Sequence, residues 1–155
     1  MTGAKVETDC LEQEDIGMNL SGLPDNVASV AGPRSQRELH LSVEGTALVC
    51  ATSWWNTDEI ARYLGQTQKP IWINLSVNRT ELYREITQVY CGHSPDLERR
   101  FGQKGPFWGR EYIFWHDGKP LTLIHEIFSP ALEDYLGPVD LKEWCMTNSS
   151  RACPT

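Results

Sequence analysis

No stretch of this 155-residue chain approaches the ~20 consecutive apolar residues that a membrane helix needs, so insertion into a bilayer is not expected. Positive charge is also scarce. Fourteen Lys and Arg stand against twenty-one Asp and Glu, a net charge of −7, and Arg99-Arg100 is the sole basic cluster. Proteins that grip phosphate backbones carry a basic face, so nucleic acid is not an expected partner. Ligand spacings for metals are missing as well. The five cysteines, Cys10, Cys50, Cys91, Cys145 and Cys153, are scattered, odd in number and free of any CxxC or Cys/His pattern. That argues against a disulfide framework and against a metal site. With a polar, acidic first twenty residues in place of a signal or transit peptide, it points to a reducing, cytoplasmic setting.

What is present reads as one domain with irregular ends. Residues 1–33 are weakly patterned; Val6 sits on a short strand at most, and Leu23-Pro24-Asp25-Asn26 signals a turn. The pattern sharpens over 34–138. Arg37, Leu39, Leu41 and Val43 alternate with Glu38, His40 and Ser42, the period of a half-buried strand. Glu44-Gly45 turns the chain, and Leu48 to Ser53 returns as its partner. Asn56, with Glu59 three residues on, starts a helix striped by Ile60, Tyr63 and Leu64 and stopped by Gly65. Residues 70–75 are a short extended stretch. Thr80 opens a second helix with Leu82, Ile86 and Val89 on one side, and residues 96–101 make another helical turn. Asp117-Gly118 then folds 112–116 against 121–128 as a second hairpin, ended by Pro130. Residues 139–155 read as a mobile polar tail. There is no internal repeat. Two hairpins, short helices and no strand–helix alternation give an α+β fold: an antiparallel sheet with short flanking helices.

One strand carries a puzzle. Thr122, Ile124, Glu126 and Phe128 share one face; Leu121, Leu123, His125 and Ile127 share the other. Both faces are apolar, so the strand is covered on both sides, and a carboxylate buried there needs an answering charge. Arg37 is the matching oddity on its own apolar face. Two opposite charges so placed suggest a lined cavity for a small ligand bearing a carboxylate and a hydroxyl. Arg offers the planar fork for the first, and Glu can accept a proton from the second. The plainer reading has both side chains reaching solvent at strand ends or pairing with each other. His125 and His93 read as structural and loop residues, and Trp54, Trp55, Trp72, Trp108 and Trp115 as core or pocket wall.

These residues also carry a family resemblance. Trp108-Gly109-Arg110, Gly118-Lys119-Pro120 and Glu126-Ile127-Phe128 resemble, in order, the C-terminal signature of the chorismate lyase (chorismate pyruvate-lyase) family. Arg37-Glu38-Leu39 resembles the start of that family's hairpin, and Arg79-Thr80-Glu81-Leu82 a pocket-lining K-T-P-L segment. The phrases ATSWWN, FWGREYIFWHDGKPLTL and FSPALEDYLGP are similar to its cyanobacterial and plastid branch. The resemblance spans roughly 33–138. It implies conversion of chorismate to 4-hydroxybenzoate and pyruvate without metal or organic cofactor, feeding prenylquinone (plastoquinone) synthesis, by a monomer whose ligand lies under helical flaps. Carried over by position, Arg37 binds the ring carboxylate, Glu126 meets the ring oxygen opposite, and Leu82 offers its backbone amide near the start of the second helix. Arg37 and Glu126 are then the catalytic pair, with Glu126 as acid, base or positioning group. The family begins with a helix and a first strand-turn segment. Only residues 1–34 precede the hairpin here, which implies either a start set too late or an N-terminally shortened homologue with an open pocket and activity weakened or lost. The alternative is a non-catalytic binding module for an aromatic carboxylate. The effector domains of some bacterial transcription regulators share this fold but follow a helix-turn-helix, which this acidic chain lacks.

Overall fold

The computed structural model describes residues 5–63 and 82–136. Six strands account for most of them: β1 (Val6–Gly17), β2 (Arg34–Val43), β3 (Thr46–Asn56), β4 (Tyr83–Gly92), β5 (Phe107–His116) and β6 (Lys119–Phe128). They form one antiparallel sheet in the order β1-β2-β3-β6-β5-β4. The helices are short: a 3-10 turn (Asp25–Ser29), α1 (Thr57–Tyr63), α2 (Pro95–Phe101) and α3 (Leu132–Leu136). The expected α+β architecture is therefore observed.

Both hairpins form where the turn chemistry places them. Glu44 and Gly45 take φ of 50° and 78°, and Asp117 and Gly118 take 48° and 71°. Two successive positive φ values make the tight turn whose twist matches that of the strands. Asn56 caps α1 as its spacing predicts, its side-chain oxygen accepting from the amides of Asp58 (3.0 Å) and Glu59 (3.2 Å). Ser94 does the same for Leu97 at the start of α2. The stripe residue Leu64, the expected stop at Gly65, the stretch 70–75 and the tail 139–155 lie outside the described residues.

Two expectations are overturned. Residues 6–17, read as loop, form a strand that pairs with β2 from Val6↔Val43 to Gly17↔Arg34. It is a mostly exposed edge, so its side chains need not be apolar, and its ladder is made by backbone groups that composition does not report. The segment read as a helix with a Leu82, Ile86, Val89 stripe is strand β4. A bulge between Ile86 and Gln88 inserts one extra residue, so Ile86 pairs with Tyr112 and Val89 with Arg110, on the same face. The bulge thus gives a strand the three-residue apolar spacing of a helix. The residue types, Tyr-Arg-Glu-Ile-Thr-Gln-Val-Tyr, are those of a strand.

One face of the sheet is covered by the 3-10 turn and α2. Val27 and Val30 pack on Trp54, Ile113 and Leu123, while Phe101 packs with Cys50 and Phe107. On the other face Trp55, Tyr112, Leu121 and Ile124 form a second core cluster, and α3 closes one end through Leu132 against Val43, Leu48 and Val49. Trp54 and Trp55, adjacent in β3, anchor opposite faces and are 4% and 0% exposed. Each such burial contributes roughly 1.5–3 kcal/mol.

Candidate functional site

The face of the sheet opposite α2 holds a cavity of about 310 Å³. Its floor is mostly aliphatic and aromatic: Leu39, Val49, Ile124, Phe114 and Phe128 among others. Into this apolar wall project Glu126, Arg110, Tyr112 and Arg84. Strand alternation explains the grouping. Leu39, Ala51, Glu126 and Arg110 stand in one cross-strand row, and Arg37, Ser53, Ile124 and Tyr112 in the next.

Glu126 is held from two sides. Arg110 donates to its Oε2 through Nε at 2.7 Å and NH2 at 2.6 Å, and the Tyr112 hydroxyl donates to Oε1 at 2.7 Å. These are charge-assisted contacts of the stronger kind. Burial, then the Glu126 charge, push the Tyr112 phenol far up, so it remains a neutral donor at any working pH. The Arg110 guanidinium also lies 5.3 Å from the Tyr112 ring centre and 5.4 Å from that of Phe128, which fixes its plane. Glu126 is therefore a pinned carboxylate on a cavity wall, its side chain 16% exposed.

Arg37 lies on the same face, two strands from Glu126 and thus roughly 10 Å across the sheet. It is wholly buried, and burial lowers its pKa from the ordinary arginine value. Its cross-strand neighbour Ser53 lines the cavity, whereas Arg37 is not among the lining residues. Leu82, half-buried, packs against the cluster of Trp55, Tyr112, Leu121 and Ile124. It precedes strand β4 and not a helix, so its backbone amide does not stand at a helix start. The structure thus brings Glu126 to the cavity, sets Arg37 beside it and leaves Leu82 at its border.

Arg84, Arg110 and Tyr112 line the cavity but were given no site role from sequence, Arg110 being quoted only within the Trp108-Gly109-Arg110 motif. Register explains the miss for the latter two. Counting back from the turn, His116 pairs with Lys119, and an unbroken ladder would set Gly109 opposite Glu126 and send Arg110 to the other face. An extra residue on β6, Leu121, between the Trp115↔Pro120 and Phe114↔Thr122 pairs shifts the register by one and sets Arg110 and Tyr112 on the Glu126 side.

The other face of the same hairpin carries a second buried carboxylate. Glu111, 2% exposed, accepts from Thr87 Oγ1 at 2.6 Å, from Asn26 and from His125. Burial pushes the Glu111 carboxyl up, but the hydrogen bonds from Thr87, His125 and Asn26 outweigh it and hold the group below the ordinary carboxylate range. The His125 ring stands edge-on to Trp54 at 5.2 Å. This network ties β4, β5 and β6 to the 3-10 turn. Among the described residues no group of three His, Cys, Asp or Glu side chains is placed to hold a metal.

Comparison with known proteins bears on the fold and on the family. The fold matches the ligand-binding domain assigned to a GntR-family transcriptional regulator from Bordetella bronchiseptica, with a TM-score of 0.64 at 12% identity, covering 81% of this chain and 86% of that one. It also matches the effector domain of PhnF from Mycobacterium smegmatis, with a TM-score of 0.61 at 11% identity and 83% of each chain covered. At such identities the likeness concerns the fold alone. In sequence the chain is 35% identical over 130 residues to the uncharacterised protein ycf21 of Cyanophora paradoxa, covering 83% of this chain and 67% of that protein. It is 40% identical over 91 residues to ycf21 of Porphyra purpurea, covering 57% and 51%. The chain therefore spans two thirds of one of these relatives and about half of the other. The family model described as chorismate pyruvate-lyase Rv2949c-like matches residues 1–136, nearly all of the patterned sequence, and the chain belongs to that family.

Proposed function

We propose that the chain is a chorismate pyruvate-lyase, releasing pyruvate and 4-hydroxybenzoate from chorismate. The observation that carries this reading is Glu126, pinned by Arg110 and Tyr112 on an apolar cavity wall. Arg37 is buried on the same face. In the substrate the ring carboxylate and the C4 hydroxyl lie at opposite ends of the ring. Arg37 takes the carboxylate and Glu126 meets the C4 end. The C3–O bond then breaks with its electron pair going to the departing enolpyruvate. The C4 proton is lost, the electrons of that C–H bond complete the aromatic ring, and the enolate is protonated to pyruvate. Aromatisation drives the step, so the protein has to orient the dianion and exclude alternatives more than activate a reagent. Glu126 is the group placed to receive the proton, and its fixed orientation suits that role. Leu82, at the cavity border, offers a backbone contact to the substrate. The product enters prenylquinone synthesis.

The decisive experiment incubates the protein with chorismate and follows pyruvate through a lactate dehydrogenase couple, with 4-hydroxybenzoate measured chromatographically. Equimolar formation of both is expected. The second reading, a binding module without turnover, is favoured by the regulator domains that share the fold. Saturable 4-hydroxybenzoate binding with no pyruvate released above the uncatalysed rate would establish it in place of the lyase.

A further inference from the structure

We propose that Arg84 binds the second carboxylate of the substrate, the one on the departing enolpyruvyl group; this rests on the lyase reading above. Chorismate carries two negative charges and needs two cationic partners. Two arginines line the cavity. Arg110 is committed, since its Nε and Nη2 both lie against Glu126 Oε2 and its charge is answered there. Arg84 differs. Among the described residues no carboxylate lies within ion-pair distance of it, and its guanidinium rests 5.6 Å from the centre of the Tyr112 ring. The hydroxyl of that same ring holds Glu126. Arg84 therefore presents its charge about one phenol ring away from the proton-accepting carboxylate.

The order of charges across the sheet matches the order of groups on the substrate. Arg37 stands on β2, Glu126 on β6 and Arg84 on β4, with two strands from each arginine to the glutamate. A ring carboxylate at Arg37 and a C4 hydroxyl at Glu126 leave the enolpyruvyl arm pointing toward β4. A guanidinium there can pair bidentately with the carboxylate of that arm. It also places positive charge beside the oxygen that takes up the electron pair as the C3–O bond breaks. The aromatic product lacks the arm, so Arg84 separates substrate from product: it contributes to holding the first and nothing to holding the second.

The test compares wild type with Arg84→Gln and Arg84→Lys. Arg84 lies exposed on an edge strand, so its replacement leaves the melting temperature unchanged. For Arg84→Gln, kcat/KM for chorismate falls by about 10- to 100-fold, the usual worth of a hydrogen bond to a charged group, and Lys restores part of the loss. The calorimetric Kd for 4-hydroxybenzoate stays as in wild type. Unchanged kcat/KM, or an equal loss of affinity for substrate and product, overturns the assignment. If wild type releases no pyruvate, the lyase reading fails by itself. Calorimetry with unreacted chorismate then decides: Arg84→Gln weakens chorismate binding while sparing 4-hydroxybenzoate, or the assignment is wrong.

Discussion

Glu126 poses the sharpest chemical question at the scale of single residues. A carboxylate in an apolar strand is either architecture or machinery. Arg110 and Tyr112 both approach from β5, so they fix the carboxylate relative to its own hairpin and leave its cavity side accessible. Glu126→Gln keeps the shape: the amide oxygen can still accept from Arg110, while the amide nitrogen donates to the Tyr112 hydroxyl. It should lower chorismate turnover by roughly 10²–10⁴, the range for loss of an acid–base group. The melting temperature should fall by only a few degrees, since about 1 kcal/mol corresponds to about 2–8 °C in a domain of this size. Pyruvate release and thermal unfolding measured on one sample check both. A collapse in melting temperature with specific activity intact would make the carboxylate architectural.

At the scale of elements, the β5–β6 hairpin organises the molecule, and Gly109 shows how closely. It pairs with Tyr90 on β4, and a Cβ there would lie 2.5 Å from the Tyr90 ring. The missing side chain lets that ring lie across the strand and reach toward His125 at 6.3 Å. The glycine of the Trp108-Gly109-Arg110 motif is thus a packing requirement on the face opposite the cavity. Gly109→Ala should push the tyrosine off the sheet at a cost of roughly 1–3 kcal/mol, the range for overpacking. Urea denaturation measures the loss, and Tyr90→Ala in the same background should relieve part of it. An unchanged midpoint for Gly109→Ala would mean that the ring has another place to go.

The whole molecule answers to pH through Glu111. Its carboxyl titrates lower in the folded protein than in the unfolded chain. The stabilisation it gives is complete above the unfolded carboxylate value of about 4.3 and is lost as pH falls through the lower folded value. Stability should therefore drop on acidification below about pH 4, a reference value for carboxylates. In Glu111→Gln the drop should be shallower, while stability at neutral pH is already lower by roughly 1–3 kcal/mol from the impaired network. Denaturant melts between pH 3 and 7 supply the comparison, and parallel curves for the two proteins would refute it. Because Glu111 joins Thr87, Asn26 and His125, this loss loosens the edge strand that carries Arg84 as well as the core beneath.

What the sequence determined by itself is local. Alternation in 37–43 and 121–128, two X-Gly turns and the Asn56 cap specify hairpins and a helix start through interactions a few residues long. The motif order around them carries the family. The two charges that break apolar faces, Arg37 and Glu126, were legible for the same reason, since period two assigns a face without knowledge of the partner strand. Tertiary structure decided everything that depends on pairing. The acidic residues 6–17 became β1 only because β2 offered an open edge. The stripe of Ile86 and Val89 became a bulged strand because β5 lay alongside. Above all, the answer to Glu126 came from its own hairpin, where the bulge at Leu121 sets Arg110 and Tyr112 on its face. A one-residue slip reverses every side chain of a strand, and nothing local in the sequence of either strand fixes where the slip occurs.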